Sequence, residues 1–202
     1  MTSPRVRMTP DSRREQLLEL GVRLFATRSL DQLSIETLAE EAGISRGLLY
    51  HYFGNKQDFH EAVVRRAADD LFELTAPSTE GDLVSRLASS LDRYLGYVET
   101  NLEGYRSLVR AAYGGNETMR EIYESARAAL TDRIFLSAGP DGLTPLGLVD
   151  TPGVRLMVRG WSALVEDVVL SWVADHRGIE RQDLLDSLTA TLALTLRVAP
   201  TA

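Results

Sequence analysis

The chain has 202 residues, 44% of them apolar, and a formal net charge of −7, which is enough material for one large or two small domains with a proper core. Cysteine is absent, which excludes disulfides, thiol nucleophiles and thiolate metal sites, and His51, His60 and His176 are too scattered for a metal cluster, so no metal or cofactor is expected. No apolar run approaches the roughly 20 residues of a membrane span, and the opening MTSPRVRMTP lacks the apolar centre of a signal peptide, so a cytoplasmic location is expected.

Residues 1 to 9 carry Arg5 and Arg7 in a Pro/Thr/Ser-rich setting, which predicts a flexible arm that either reaches phosphates or a minor groove or has no role. Thr9-Pro10 reads as an N-cap followed by proline at the first helical position. The helix it opens runs to about Arg28, with Leu17, Leu20, Leu24 and Phe25 as its inner stripe. Leu30 and Leu33, in the short connection that follows, are expected to plug a small core. Ser34 caps the next helix, Ile35, Leu38, Ala39 and Ala42 fall on one face, and Gly43 stands where a left-handed residue would end it. Ser45 then caps a second short helix that begins Arg46-Gly47. Helix, tight turn and short helix make the pattern of a helix-turn-helix DNA reader.

In that second helix Leu49 and Phe53 lie four apart and face inward, leaving Arg46, Tyr50 and His51 for DNA; Tyr52 is harder to place. The arginine fork matches a guanine edge, and Gly47 lets a base or sugar approach the backbone. Tyrosine and histidine more often donate to phosphates. The alternative makes Tyr50, His51 and Tyr52 ordinary packing, although a short helix has only one buried side. The backbone N–H of Ser34 is a further phosphate candidate. Lys56, the only lysine beside twenty-one arginines, opens the following helix, where the dipole disfavours a cation unless an anion such as phosphate is present.

The segment LLELGVRLFATRSLDQLSIETLAEEAGISRGLLYHYFGNKQDF, and above all Gly43 to Lys56, resembles the N-terminal DNA-binding domain of the TetR family of transcriptional regulators. The resemblance implies an all-α dimer with a three-helix helix-turn-helix head at 1–55 and a larger helical ligand-binding and dimerisation body at 56–202, about nine helices in all. It also implies a repressor that leaves its promoter when a small molecule binds. By the same resemblance Ser34, Arg46, Gly47, Tyr50, His51, Tyr52 and Lys56 occupy positions that commonly meet DNA, beside the cap Ser45. Two residues depart from the family pattern. Ser29 replaces the glycine that usually ends the first helix, a small expected strain, and Leu48 replaces a hydroxyl residue, so no hydroxyl contact is carried over from that position.

From Gln57 a continuous helix carries Phe59, Val63, Ala67 and Leu71 inward until Thr75-Ala76-Pro77-Ser78 breaks it; by resemblance it transmits ligand binding to the heads. Helices are expected at Asp82 to Thr100, at Asn101 to Tyr113, and from Asn116 to about Leu136. Ser137 to Gly153 concentrates glycine and proline and reads as the main loop of the body. The last two helices, about 152–176 and 180–198, are apolar on more than one side. They are expected to pair with their copies as a four-helix homodimer interface, the alternative being the core of a monomer.

Candidate effector residues are Tyr94, Tyr97, Tyr105, Arg106, Arg110, Tyr113 and Tyr123, with Trp161 and Glu166 from the penultimate helix. Each aromatic is more readily core than ligand cage, and Arg106 and Arg110, four apart, suit an anionic ligand head or an ordinary pairing with Glu103. No serine lies in a strained nucleophile turn, there is no phosphate loop, and adjacent Glu166 and Asp167 diverge on a helix, so no enzyme is expected. The charge divides in the same sense, with residues 1–66 at net +1 and residues 67–202 at net −8. A head of +1 needs positioned arginines and dimerisation to hold a double-stranded operator. The reading is a ligand-responsive repressor, with two alternatives: a constitutive DNA-binding dimer whose body only dimerises or meets a protein partner, and an enzyme or carrier with a degenerate head.

Overall fold

The computed structural model describes residues 9–138, 149–197 and 199, and among them there are nine α-helices and no strand. The expected arm with Arg5 and Arg7, and most of the expected 137–153 loop, lie outside the described residues. Packing divides the chain into two units, residues 1–67 with 103–120, and residues 68–102 with 121–202. The packing units part at 67/68 and not at 55/56, where the functional domains are expected to meet, because Phe59 and Val63 are buried with the first helices; a helix from the middle of the chain joins the same unit.

In the first unit α1 (Pro10–Thr27) starts at Thr9, whose side chain accepts from the N–H of Ser12. Its buried stripe is Leu17, Leu18, Gly21, Leu24 and Phe25, so Leu18 takes the inner place expected of Leu20. Helix α1 leaves through Arg28 in an extended conformation, φ −132°, and not through a left-handed residue. Ser29 therefore carries none of the strain expected from its lack of a glycine. Helices α2 (Ile35–Ala42) and α3 (Arg46–Phe53) are joined across Gly43, whose φ of 63° is the left-handed conformation that glycine adopts without a Cβ penalty. Leu33, Ile35, Leu38, Leu49 and Phe53 close a small core, together with Phe59 and Val63 of α4 (Lys56–Leu74). Gly21 is the close-approach point between α1 and α4, since a Cβ there would lie 2.7 Å from Val63 Cγ2. Helix α6 (Leu102–Tyr113) belongs to this unit, and its Ser107 hydroxyl accepts from the N–H of Leu30 at 2.8 Å in a buried hydrogen bond.

His60 Nε2 donates to the carbonyl of Leu33 at 2.5 Å, tying α4 to the connection before the reader. Burial pushes its imidazole below the ordinary value, with Lys56 adding to this, and the Leu33 carbonyl and Asp31 pull the other way. A base whose folded pKa is depressed binds fewer protons when folded than when unfolded. Its contribution to stability is therefore present above about pH 6.5 and is lost as pH falls toward the folded value. Urea titrations at pH 7.5 and 5.5 are expected to give a larger acid loss for the native chain than for His60→Gln; equal losses would remove His60 from the account.

In the second unit α5 (Leu83–Thr100) is capped by Asp82, α7 (Glu117–Ala138) enters from Glu121 onward, and α8 (Pro152–Ala174) and α9 (Arg181–Arg197) pack as a hairpin. Val154, Val158, Trp161, Val165, Val169 and Trp172 form the buried stripe of α8, against Leu184, Leu185, Leu188, Leu192 and Leu196 of α9. Trp161 Nε1 donates to the Leu188 carbonyl at 3.1 Å, and Trp172 Nε1 donates to that of Ile179 at 2.9 Å. The α8–α9 turn needs two left-handed residues, Arg177 at φ 51° and Gly178 at φ 73°. Arg181 then anchors α9 to α5 through Asp92 and Glu99.

Candidate nucleic-acid interface

Helix α3 has two faces, set by its sequence period. Leu49 and Phe53 are buried, which leaves Arg46, Gly47, Leu48, Tyr50 and His51 exposed along the other side. Tyr52 is half-buried, and its ring stands edge-on to that of His51 with centroids 5.6 Å apart. Ser45 accepts from the N–H of Leu48 at 3.3 Å, as an N-cap should. Ser34 is also a cap, accepting from the N–H of Thr37 at 3.0 Å, and it shares a hydrogen bond with the Thr37 hydroxyl. Its hydroxyl is thus engaged within the protein. Lys56 is exposed at the start of α4, beside Asn55, which accepts from the N–H of Asp58 at 2.9 Å. The first turn of α4 has its own carboxylate in Asp58, so the helix dipole does not by itself require a phosphate there.

The face carries one carboxylate that sequence reasoning missed. Glu36 Oε1 on α2 lies 3.5 Å from Arg46 Nη1 on α3. A hydrogen bond from its own backbone N–H holds the Glu36 carboxyl below the usual carboxylate range, and the Ser34 hydroxyl and Arg46 act in the same direction against partial desolvation. Ten residues separate the pair and no helical period links them; only the turn at Gly43 brings them together. On the inner side Arg14 lies over the Phe53 ring, 5.2 Å from its centroid, and Arg28 pairs with Glu41 at 3.5 Å.

A Cβ added at Gly47 would meet nothing within 4 Å. Internal packing therefore does not require glycine there, and alanine favours a helix by up to about 1 kcal/mol. Gly47→Ala is expected to raise the melting temperature while weakening DNA binding, since the new methyl occupies the space through which a base or sugar would approach. Undiminished DNA affinity in the variant would show that nothing comes close at this position.

The family model described as "Bacterial regulatory proteins, tetR family" matches residues 17–63, which span α1 to the first half of α4. A second, "Tetracyclin repressor-like, C-terminal domain", matches residues 83–194, more than half of the chain. The chain belongs to the TetR family. It is a DNA-binding transcription regulator and not an enzyme. A TetR-family regulator from Streptomyces coelicolor of known crystal structure is 34% identical, with a TM-score of 0.78, over 95% of this chain and 83% of that one. The transcriptional activator FasR of Mycolicibacterium smegmatis is 26% identical over 89% of this chain and 81% of its own length. The repressor KstR2 of Mycobacterium tuberculosis is 34% identical over 46% of this chain and 44% of its own.

The effector candidates of this TetR-family chain divide between its two packing units. Tyr105, Arg106, Arg110 and Tyr113, all on α6, fall in the first unit; Tyr113 is 72% exposed and Arg110 is also on the surface. Tyr94, Tyr97, Tyr123, Trp161 and Glu166 fall in the second. There the buried Tyr123 hydroxyl donates to Glu166 Oε1 at 2.5 Å, linking α7 to α8, and Arg127 lies 5.5 Å from the Tyr123 ring centroid. Tyr97 is half-buried, and desolvation, followed by the charge of Asp70, pushes its phenol above the ordinary value. Trp161 is core, with its one donor satisfied by the backbone of α9. No helix among the described residues is long and apolar enough to cross a membrane.

Proposed function

We propose that the protein is a cytoplasmic, ligand-responsive repressor that binds a palindromic operator as a homodimer through the 1–55 head and leaves it when a small molecule binds the 56–202 body. The reading rests on α3, an eight-residue helix that hides Leu49 and Phe53 and exposes Arg46, Gly47, Tyr50 and His51. Arg46 and Gly47 read bases; Tyr50, His51, Tyr52, Lys56 and the N-terminal turns at Ser34 and Ser45 hold the backbone. Within the body, the Tyr123–Glu166 link and the half-buried phenol of Tyr97 are polar groups of the kind an effector site uses. The outer sides of α8 and α9 support homodimerisation, since Leu156, Leu164 and Leu194 are exposed there in the single chain.

Selection from a pool of randomised duplexes by the full chain supplies the operator for the test. Arg46→Ala is expected to relax preference at one or two base pairs. Lys56→Ala should weaken all sequences alike and lower the salt slope by about 1. A thermal-shift screen of metabolites, followed by a DNA-release assay with each stabilising compound, tests the effector part. A reporter gene behind the selected operator decides between repression, the activity in KstR2's name, and activation, that in FasR's. If every stabilising compound left the DNA complex intact, the constitutive alternative would stand instead.

A further inference from the structure

From the position of Glu36 we infer that it is a positioning residue for DNA recognition: it holds Nη1 of Arg46 so that the Nε/Nη2 edge of the guanidinium is presented to a guanine. The inference rests on the assignment of Arg46 as a base reader. Arginine has five N–H donors, and recognition of guanine O6 and N7 uses two of them on one edge. Glu36 Oε1 approaches Nη1, at 3.5 Å, and leaves the opposite edge open. The guanidinium is mostly exposed, so little else restrains a long side chain that would otherwise sample many rotamers in solution.

The backbone that carries the carboxylate is itself fixed. Thr37 presents its N–H to Ser34 Oγ and its hydroxyl shares a hydrogen bond with the same oxygen, so Glu36 sits inside a capped first turn. From that turn its carboxylate reaches the arginine of α3. An exposed ion pair contributes too little to folding for stability to explain the arrangement. A carboxylate on a phosphate-facing surface also opposes binding through its charge, so its presence beside Arg46 makes sense through orientation and not through attraction.

Four full-length chains separate the possibilities: the native protein, Glu36→Ala, Arg46→Ala and the double variant. Each is tested against duplexes selected from the randomised pool and against single-base-pair changes of them, over a range of salt concentrations. Glu36→Ala is expected to reduce discrimination at the base pairs read by Arg46 by roughly threefold to tenfold, with the salt slope unchanged. The double variant should discriminate no worse than Arg46→Ala. Glu36→Gln keeps an acceptor and the helix geometry and should fall between native and Glu36→Ala, which keeps the inference testable if the alanine variant folds poorly. Tighter binding to every sequence with a steeper salt slope would mean that Glu36 only repels phosphate, and the inference would be wrong. Unchanged discrimination in Glu36→Ala would also overturn it. If Arg46→Ala itself leaves base preference intact, the base-reading assignment has failed first, and the single variants distinguish that case from a failure of positioning alone.

Discussion

Gly104→Ala is expected to destabilise the first packing unit by about 2–4 kcal/mol, although alanine is the better helix former. Gly104 lies in the opening turns of α6, where an added Cβ would sit 2.2 Å from the carbonyl oxygen of Phe25 and 3.0 Å from its carbonyl carbon. The obstacle is the backbone of α1, not the end of a flexible side chain. Helix α6 would have to withdraw by roughly 1 Å to reach ordinary van der Waals distance. The same movement stretches the buried hydrogen bond from the Leu30 N–H to the Ser107 hydroxyl, which lies one turn further along α6. Overpacking costs about 1–3 kcal/mol, and an unpaired buried N–H costs a similar amount; the gain in helix propensity of about 1 kcal/mol does not offset them. Thermal unfolding should show a midpoint lower by roughly 5–15 °C. Gly47→Ala in α3, where a Cβ would meet nothing within 4 Å, is the matched control and should not lower the midpoint. A Gly104→Ala protein as stable as the native one would contradict the close approach of α6 to Phe25.

That close approach also marks where sequence reading reached its limit. Helix ends were legible because they are local: Thr9, Ser34 and Ser45 each accept a hydrogen bond from the N–H three residues on, and Gly43 has the left-handed φ its position demands. The buried stripe of α4, Phe59, Val63, Ala67 and Leu71, was legible because it repeats at the helical period. The membership of α6 in the first unit was not, because it depends on a missing side chain at Gly104 and one hydroxyl at Ser107, neither of which forms a pattern. In the reader the period separated Leu49 and Phe53 from Arg46 and Tyr50. It could not reveal Glu36, whose approach to Arg46 is made across a turn. Among the body residues, the spacing of aromatics marked Trp161 and Tyr113 alike as effector candidates. The packing distinguishes them, since Trp161 is sealed against α9 and Tyr113 lies on the surface. An aromatic at helical spacing has the same sequence signature in either setting.

Leu164→Glu combined with Leu194→Glu is expected to convert a dimer into monomers and to reduce operator affinity by about a hundredfold or more. In the single chain Leu164 and Leu194 are 44% and 59% exposed, Leu164 on the flank of the buried stripe of α8 and Leu194 on the side of α9 away from its own. Leu156, exposed like them, together with Gly160 and Ala163, which are small and exposed, extends the surface along α8. Because a two-fold interface uses the same surface on both protomers, each substitution occurs twice in the assembly. Losing the burial of one leucine costs about 1.5–3 kcal/mol, so two leucines on each of two protomers exceed what most dimers can lose, before the repulsion of four carboxylates is counted. The monomer should tolerate the same changes with a shift of only about 0.5 kcal/mol per site, since substitutions on an exposed face rarely do more. DNA binding should follow the dimer, because a head of net +1 has too little charge to hold a single half-site and depends on two heads acting together. Sedimentation and operator titration on one preparation test both halves of the statement. A variant that remains dimeric would place the interface elsewhere, and a monomer that still bound the operator with native affinity would mean that one head suffices.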